Sequence, residues 1–227
     1  MSKNLGITLA LILVAALGIG LLAFLDDRDA DAPAADPVGA DPTSVPTAPA
    51  ELLVREDSRY LDRVEESPVT VVEFLDFECE ACRAQFPTME RIREDYDGRI
   101  NVVIRYFPLP GHTNSEPAAA AVEAAAQQGA LEEMYARMYE TQAEWGESQE
   151  SRAEVFVGFA EDLGLDMDEF RRTMESDETR DRVRSDFEDG VALGVQGTPT
   201  IFVNGRLAPS MPGRDVLSAM IDAELAG

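Results

Sequence analysis

A strand–helix–strand unit that begins at residue 69 limits the folds open to this chain. Residues 69–77, VTVVEFLDF, are almost continuously apolar and rich in β-branched and aromatic side chains, which is typical of a strand buried on both faces. Residues 79–96 have the apolar spacing of a helix, in which Pro87 predicts a kink, and residues 100–108, INVVIRYFP, have the pattern of a second strand. This order predicts two parallel strands and therefore an α/β sheet.

The next strand comes much later in the chain. Residues 198–205, TPTIFVNG, have a strand pattern, and a short partner near Leu207 and a last helix from Arg214 to Leu225 follow it. Everything between about 115 and 194 is helical in pattern. Because a parallel crossover needs only about a dozen residues or somewhat more, this long connection is predicted to contain an inserted helical subdomain.

The first 25 residues differ from the rest. The run from Leu5 to Leu25 carries no charge, and its length matches the roughly 20 apolar residues that cross a bilayer. A signal-peptide core is usually about 7–15 residues long, so residues 1–25 are interpreted as an uncleaved anchor, with a long signal peptide as the alternative. Lys3 precedes the run and several aspartates follow it, which places the N-terminus in the cytoplasm and the rest of the chain outside.

The segment after this run is not expected to fold. Residues 26–50 are rich in Ala, Asp and Pro and contain no aromatic side chain, so they are predicted to form a disordered tether. The folded domain is predicted to span residues 51–227. The formal net charge of the chain is −25, which disfavours nucleic acid and anionic lipid as partners.

The two cysteines, Cys79 and Cys82, form a CxxC pair, which can have one of three roles. A structural disulfide that closes so short a loop stabilises a fold by only roughly 2 kcal/mol in the loop-entropy model. A structural zinc site needs four ligands, usually Cys or His, and the only other such residue is His112. In a glycine- and proline-containing loop, His112 itself is expected to be structural or solvated rather than catalytic.

Dithiol–disulfide chemistry is the third role, and the position of the pair favours it. Cys79 lies where the buried strand gives way to a helix, and the unpaired N–H groups and dipole of a helix N-terminus favour a thiolate. Cys82 is one turn further along, where it can resolve a mixed disulfide at Cys79. The predicted location outside the cytoplasm also permits disulfides to persist.

Two further features accompany the dithiol. Glu73 lies within the apolar strand, so its carboxyl group is expected to be buried beneath the helix start with a raised pKa, where it could relay protons to and from Cys82. The alternative is an ordinary exposed strand residue. Pro199, just ahead of a strand, fits either a strand's first residue or a cis turn.

Together these segments resemble a known family. VVEFLDFECEAC, FPLPGHTNSEPAAAAVEAAAQQG and GVQGTPTIFVNG, in that order, are similar to the DsbA-like thiol–disulfide oxidoreductases of the thioredoxin superfamily, above all to membrane-tethered Gram-positive and actinobacterial members. The resemblance implies a thioredoxin fold with a helical insertion, Cys79 as the attacking cysteine and Cys82 as the buried resolving one. It also implies that Glu73 is the buried acid of the site, and that Thr198-Pro199 is a cis-proline loop that pairs with the substrate backbone.

The resemblance carries functional expectations as well. The chain is expected to oxidise reduced exported proteins as a monomer, to need no cofactor or metal, and to be reoxidised by a quinone-linked membrane enzyme. The alternatives are a thiol reductase or disulfide isomerase with the same dithiol, or a membrane-tethered binding or chaperone module. Strongly oxidising members have Pro-His or Pro-Ser between the cysteines, whereas this chain has Glu80-Ala81, preceded by Glu78. Acidic neighbours raise the pKa of a thiol, which predicts a weaker oxidant of intermediate potential.

Overall fold

The computed structural model describes residues 47–227, which form an α/β domain. Its strands are β1 (Arg59–Asp62), β2 (Thr70–Leu75), β3 (Asn101–Tyr106), β4 (Thr200–Val203) and β5 (Arg206–Leu207). Its helices are α1 (Ala50–Leu53), α2 (Glu80–Asp95), α3 (Ser115–Gln127), α4 (Leu131–Trp145), α5 (Ala153–Asp162), α6 (Met167–Met174), α7 (Asp177–Ala192) and α8 (Arg214–Leu225). The predicted α/β class is therefore confirmed.

The five strands form one mixed sheet in the order β1-β3-β2-β4-β5. Strands β2 and β3 are parallel, as predicted, with Val71 opposite Val102. Strand β4 is antiparallel to β2, with Ile201 opposite Glu73, so the expectation that a parallel crossover joins β3 to β4 is wrong. Strand direction depends on the path of the chain through the tertiary structure, whereas the apolar pattern of a strand reads the same in either direction.

Helices α3 to α7 form the predicted insertion between β3 and β4. The alanine-rich helix α3 is its centre and packs against α4, α5, α6 and α7. Residues 118–125 of α3 are all buried, which is the behaviour of a helix that is surrounded by protein on every side. Small alanine side chains allow several helices to approach α3 closely at once.

The two faces of β2 belong to different parts of the core. Val71 packs with residues of α2 and α8, whereas Phe74 packs with Phe107 and Phe202 on the opposite face. Because successive strand residues point to opposite faces, Glu73 lies on the same face as Val71 and is covered by α2. The strand pairings and the helix above it together bury Glu73, which is 2% exposed.

Buried ion pairs fasten the insertion to the sheet. Arg105 of β3 is fully buried and forms ion pairs with Asp186 and Asp189 of α7. At the other side of the sheet, Arg59 of β1 pairs with the buried Glu123 of α3. A buried charge is tolerated only when it is paired, so these contacts fix where the insertion sits on the sheet.

The N-terminal end of the described chain contacts the turn between β4 and β5. The Ala48 N–H donates to the Gly205 carbonyl at 2.8 Å. Gly205 has φ +80, and a Cβ there would lie 3.0 Å from the Ala48 carbonyl oxygen. Packing therefore begins a few residues before the predicted boundary at 51. The predicted anchor at 1–25 and most of the predicted linker lie outside the described residues; within residues 47–227, no helix is long and apolar enough to cross a membrane.

Candidate active site

The dithiol lies in the turn that leads from β2 into α2. Cys79 is the N-cap residue of α2, with an extended backbone (φ −74, ψ 121), and Cys82 is in the first turn of that helix. Both are thiols in this structure, and the Asp76 N–H donates to the Cys82 sulfur at 3.5 Å. Among the described residues, no group of three or more His, Cys, Asp or Glu side chains is arranged to hold a metal ion.

The two thiols differ in acidity. The pKa of Cys79 is lowered to about 5, chiefly because the Cys82 thiol donates a hydrogen bond to its sulfur. Partial burial opposes this effect, while the Thr198 side chain and the backbone N–H groups of Ala81 and Cys82 add to it. Burial raises the pKa of Cys82 well above its ordinary value. The helix N-terminus thus supports a thiolate at Cys79, whereas burial keeps Cys82 protonated at neutral pH.

The loop before β4 closes the site from the other side. The Thr198-Pro199 peptide bond is cis, as the resemblance implied. The protonated Cys79 thiol donates to the Thr198 carbonyl oxygen, with 3.4 Å between the two atoms. The Thr198 hydroxyl has no hydrogen-bond partner among the described residues, so it is free to donate to the sulfur once Cys79 is a thiolate. The structure therefore brings Thr198 and Pro199 to the dithiol.

Glu73 lies beneath the start of α2, as expected. Its pKa is raised to about 8, because burial penalises the charged carboxylate and because the carboxyl group of Glu90 is close. Within residues 47–227 no hydrogen bond reaches its side chain. The charge of Glu73 contributes to the raised pKa of Cys82, which shows that the two groups interact. The expected burial and raised pKa are confirmed.

Asp76 is a site residue that the sequence reasoning missed. Its buried carboxylate accepts hydrogen bonds from the Ser115 hydroxyl at 2.7 Å and from the Leu109 N–H at 3.0 Å. The His112 Nδ1 atom lies 2.7 Å from the same carboxylate. Asp76 therefore joins the dithiol turn to the loop that connects β3 with α3. The sequence does contain a feature that could have indicated Asp76. It is an acidic residue directly after a buried strand, at a position expected to be shielded from solvent.

The insertion also contacts the dithiol turn. The Gln142 side chain of α4 donates to the carbonyl oxygens of Phe77, at 2.7 Å, and of Cys79, at 3.0 Å. Glu78 is buried, and its carboxylate accepts a hydrogen bond of 2.6 Å from the Asn114 N–H. These contacts join residues that are 36 to 65 positions apart, so no local pattern could have indicated them.

The acidic neighbours do not make Cys79 a weak acid. Glu78 accepts a hydrogen bond from the Asn114 N–H, and the exposed Glu80 lies close to Glu147 of the loop after α4. The interaction between these two carboxyl groups lowers the pKa of Glu80 and raises the pKa of Glu147. The predicted effect of the acids is thus outweighed by the hydrogen bonds to the Cys79 sulfur.

Comparison with known proteins agrees with this geometry. The family model described as Thioredoxin matches residues 64–223. The Na(+)/H(+) antiporter NhaA 1 of Salinispora arenicola is 35% identical over 175 residues, which cover 77% of this chain and 26% of that protein, so the chain spans about a quarter of the antiporter relatives it matches. The probable disulfide bond formation protein D of Bacillus anthracis is 34% identical over 172 residues, covering 71% of this chain and 76% of that protein.

A solved structure gives the same result for the fold. The thioredoxin-like oxidoreductase from Silicibacter pomeroyi DSS-3 superimposes with a TM-score of 0.67 at 27% identity, covering 79% of this chain and 99% of that one. The predicted thioredoxin fold with a helical insertion is therefore confirmed. The chain belongs to the thioredoxin family and is related to the probable disulfide bond formation protein D.

Proposed function

We propose that this chain introduces disulfides into exported proteins through Cys79 and Cys82. The observation that carries the proposal is the position of the dithiol, with Cys79 as the N-cap residue of α2 and Cys82 buried in the first turn. In this position the pKa of Cys79 is lowered to about 5, and that of Cys82 is raised. At neutral pH the reduced site holds one stable thiolate. A dithiol whose reduced form is stabilised has a strongly oxidising disulfide, so this site favours the transfer of its disulfide to substrates.

The reaction has two exchange steps. A substrate thiolate attacks the Cys79 sulfur of the Cys79–Cys82 disulfide, a mixed disulfide forms, and the Cys82 sulfur leaves and takes up a proton. A second substrate thiolate then attacks the substrate sulfur of the mixed disulfide, and Cys79 leaves as a thiolate. The substrate loses two electrons and two protons; the site gains both electrons and one proton, and the second proton goes to solvent.

Glu73 and the Thr198-Pro199 loop have supporting roles in this proposal. Glu73 lies beneath α2 with a pKa of about 8, so it can exchange a proton with Cys82 near neutral pH. The Thr198 carbonyl faces the Cys79 sulfur at 3.4 Å, next to the place that a substrate cysteine occupies in the mixed disulfide. Backbone groups of this loop are proposed to pair with the substrate chain, which positions its cysteine for the exchange.

The proposed location is outside the cytoplasm, with residues 1–25 as the anchor. Ala48 contacts Gly205 beyond the C-terminal end of β4, whereas Thr200, at the other end of that strand, adjoins Pro199. A tether that arrives at Ala48 therefore leaves the dithiol at the opposite end of the sheet, open to exported substrates. The active form is proposed to be a monomer, and a quinone-linked membrane enzyme is proposed to accept the two electrons and restore the disulfide.

The exchange mechanism is tested with the full chain and a reduced two-cysteine peptide. Cys79→Ala removes the sulfur that the peptide attacks, so peptide oxidation is expected to stop. Cys82→Ala keeps the Cys79 sulfur but removes the thiol that would displace a bound substrate, so the glutathione adduct of this variant is expected to accumulate a mixed disulfide with a control peptide that has a single cysteine. Unchanged peptide oxidation by the Cys79 variant contradicts the proposal.

The reduction potential distinguishes the proposal from its alternatives. A value near about −120 mV supports an oxidant, and a value near about −270 mV supports a thiol reductase. Equilibration of the full chain with glutathione buffers gives this value directly. A chain that binds unfolded proteins equally well with and without its cysteines supports the binding or chaperone module instead.

A further inference from the structure

His112 is the only histidine of the chain, and the structure places it beside the dithiol turn. It lies in the loop between β3 and α3, and its side chain is 28% exposed. Its Nδ1 atom is 2.7 Å from an oxygen of Asp76. The dithiol chemistry proposed above assigns no role to this ring.

The surroundings of Asp76 determine which ring nitrogen carries the hydrogen. The Asp76 carboxylate already accepts hydrogen bonds from Ser115, Leu109 and the Glu78 N–H, the last at 2.8 Å. A carboxylate accepts hydrogen bonds, so Nδ1 of His112 must be the donor. The proton that the ring gains or loses is therefore on Nε2, which has no hydrogen-bond partner among the described residues.

Asp76 also connects the ring to both cysteines. Its carbonyl oxygen accepts a hydrogen bond of 3.2 Å from the Cys79 N–H, and its own N–H donates to the Cys82 sulfur at 3.5 Å. One residue thus holds the imidazole by its side chain and the dithiol turn by its backbone. Any charge on His112 is fixed in position relative to Cys79.

The charges around His112 favour the imidazolium. Burial lowers the pKa of the ring, but the hydrogen bond to Asp76 and the negative charges of Asp76, Cys79 and Glu78 outweigh it, so the pKa is raised overall. The positive ring in turn contributes to the lowered pKa of Glu80. The remaining charged residues that line the groove next to the ring are Glu116, Arg180 and Arg184.

We propose that His112 is a positioning residue for the dithiol: held by Asp76, it carries a positive charge beside Cys79 in the reduced protein and stabilises the Cys79 thiolate. It thereby supplies the cation that the Glu80-Ala81 dipeptide does not provide between the cysteines. The inference deepens the proposed function and rests on it. Its consequence is a more oxidising disulfide, because the reduced state gains an attraction that the disulfide state lacks.

The coupling must act in both directions. If the imidazolium favours the thiolate, the thiolate favours the imidazolium to the same extent, because linkage between two binding equilibria is reciprocal. Oxidation to the disulfide removes the negative charge at Cys79. The pKa of His112 is therefore expected to fall on oxidation, on the order of one pH unit for two charges in a partly screened site.

This shift is measurable by nuclear magnetic resonance. The full chain, freed of any purification histidines and labelled with ¹⁵N-histidine, gives one set of imidazole signals, which are titrated in the reduced and in the oxidised protein. A higher pKa in the reduced state supports the proposal, and equal values in both states overturn it. This readout needs no substrate, so it stands even if the chain proves not to oxidise exported proteins.

A variant pair tests the effect on the thiolate. His112→Asn keeps a donor at the Nδ1 position for Asp76 but cannot carry a charge, so the Cys79 titration, followed by absorbance at 240 nm, is expected to move up by about one pH unit. The equilibrium constant against glutathione then falls about tenfold, which corresponds to about 30 mV. Thr113→Ala, at the exposed neighbouring position, is the control. A merely structural role for His112 predicts wild-type titration and potential in His112→Asn.

Discussion

At the scale of single residues, neighbouring acids with the same chemistry have different environments. Glu73 is covered by α2 and has no hydrogen bond to its side chain within residues 47–227, so its pKa is raised to about 8. Glu78 is equally buried but accepts a hydrogen bond from the Asn114 N–H. Glu80 is exposed and faces Glu147. The surroundings of each acid are set by the residues it contacts in the fold rather than by its distance to Cys79 in sequence.

Glu73→Gln is expected to stabilise the fold at high pH and to leave it unchanged at low pH. Below about pH 4 the carboxyl group is protonated in both the folded and the unfolded chain. Between its ordinary pKa of 4.5 and its folded value of about 8, the unfolded chain loses the proton first, so rising pH destabilises the wild type. The variant has no such carboxyl group, so its free energy of unfolding at pH 8 is expected to exceed that of the wild type by at most about 5 kcal/mol.

Urea denaturation of the reduced proteins at pH 4 and at pH 8 measures this gain. Glu116→Gln, which makes the same change at an exposed carboxyl group, is the control. If Glu73→Gln differs from the wild type by the same amount at both pH values, the raised pKa of Glu73 is contradicted.

At the scale of elements, close packing holds the insertion to the sheet. Gly190 of α7 lies against two aromatic rings, and a Cβ there would be 2.6 Å from the Phe107 ring and 3.0 Å from the Phe74 ring. Phe107 directly follows β3 and begins the loop that carries His112. The contact between α7 and the sheet therefore also fixes the start of the loop beside the dithiol.

Gly190→Ala is expected to destabilise the fold, because both rings must move to admit the added methyl group. Overpacking of this kind costs about 1–3 kcal/mol, which offsets or outweighs the roughly 1 kcal/mol that alanine gains over glycine in a helix. Gly158→Ala in α5 is the matched control, since a Cβ there meets nothing within 4 Å and only the helix preference acts. Chemical denaturation measures the free energy of unfolding of both variants. If Gly190→Ala is as stable as Gly158→Ala, the packing argument is contradicted.

At the scale of the whole molecule, the redox state and the stability of the fold are linked. The folded reduced protein holds a thiolate at Cys79 with a pKa of about 5, compared with an ordinary value of 9.0. A lowered pKa contributes stability that is lost as the pH falls through the folded value. The same interactions that favour the thiolate therefore stabilise the entire reduced domain.

As the pH rises from 4 to 7, the free energy of unfolding of the reduced wild type is expected to increase by about 2–3 kcal/mol relative to that of reduced Cys79→Ser. Comparing the two at each pH cancels the opposite contribution of Glu73, which both proteins share. Thermal or urea unfolding under reducing conditions gives the difference. A difference that stays constant across this pH range is incompatible with an acidic Cys79.

The sequence alone determined most of the secondary structure, the helical insertion and the position of the CxxC pair at a helix start, because these depend on local patterns. Apolar runs, helical spacing, the CxxC pair and Pro199 are each visible within a few residues, and the last helix, Arg214–Leu225, was predicted to the residue. The short edge strand β1 was missed, since its four residues, RYLD, carry little apolar pattern.

Only the tertiary structure decided the direction of β4, the role of Asp76 and the acidity of Cys79. Strand direction depends on the route of the whole chain. Asp76 is defined by Leu109, His112 and Ser115, which follow it by 33 to 39 positions. The sequence suggested that Glu78 and Glu80 would make Cys79 a weaker acid, but folding paired Glu78 with the Asn114 N–H and brought hydrogen-bond donors to the sulfur. Acidity is set by the atoms in contact in space, and those contacts exist only once the chain is folded.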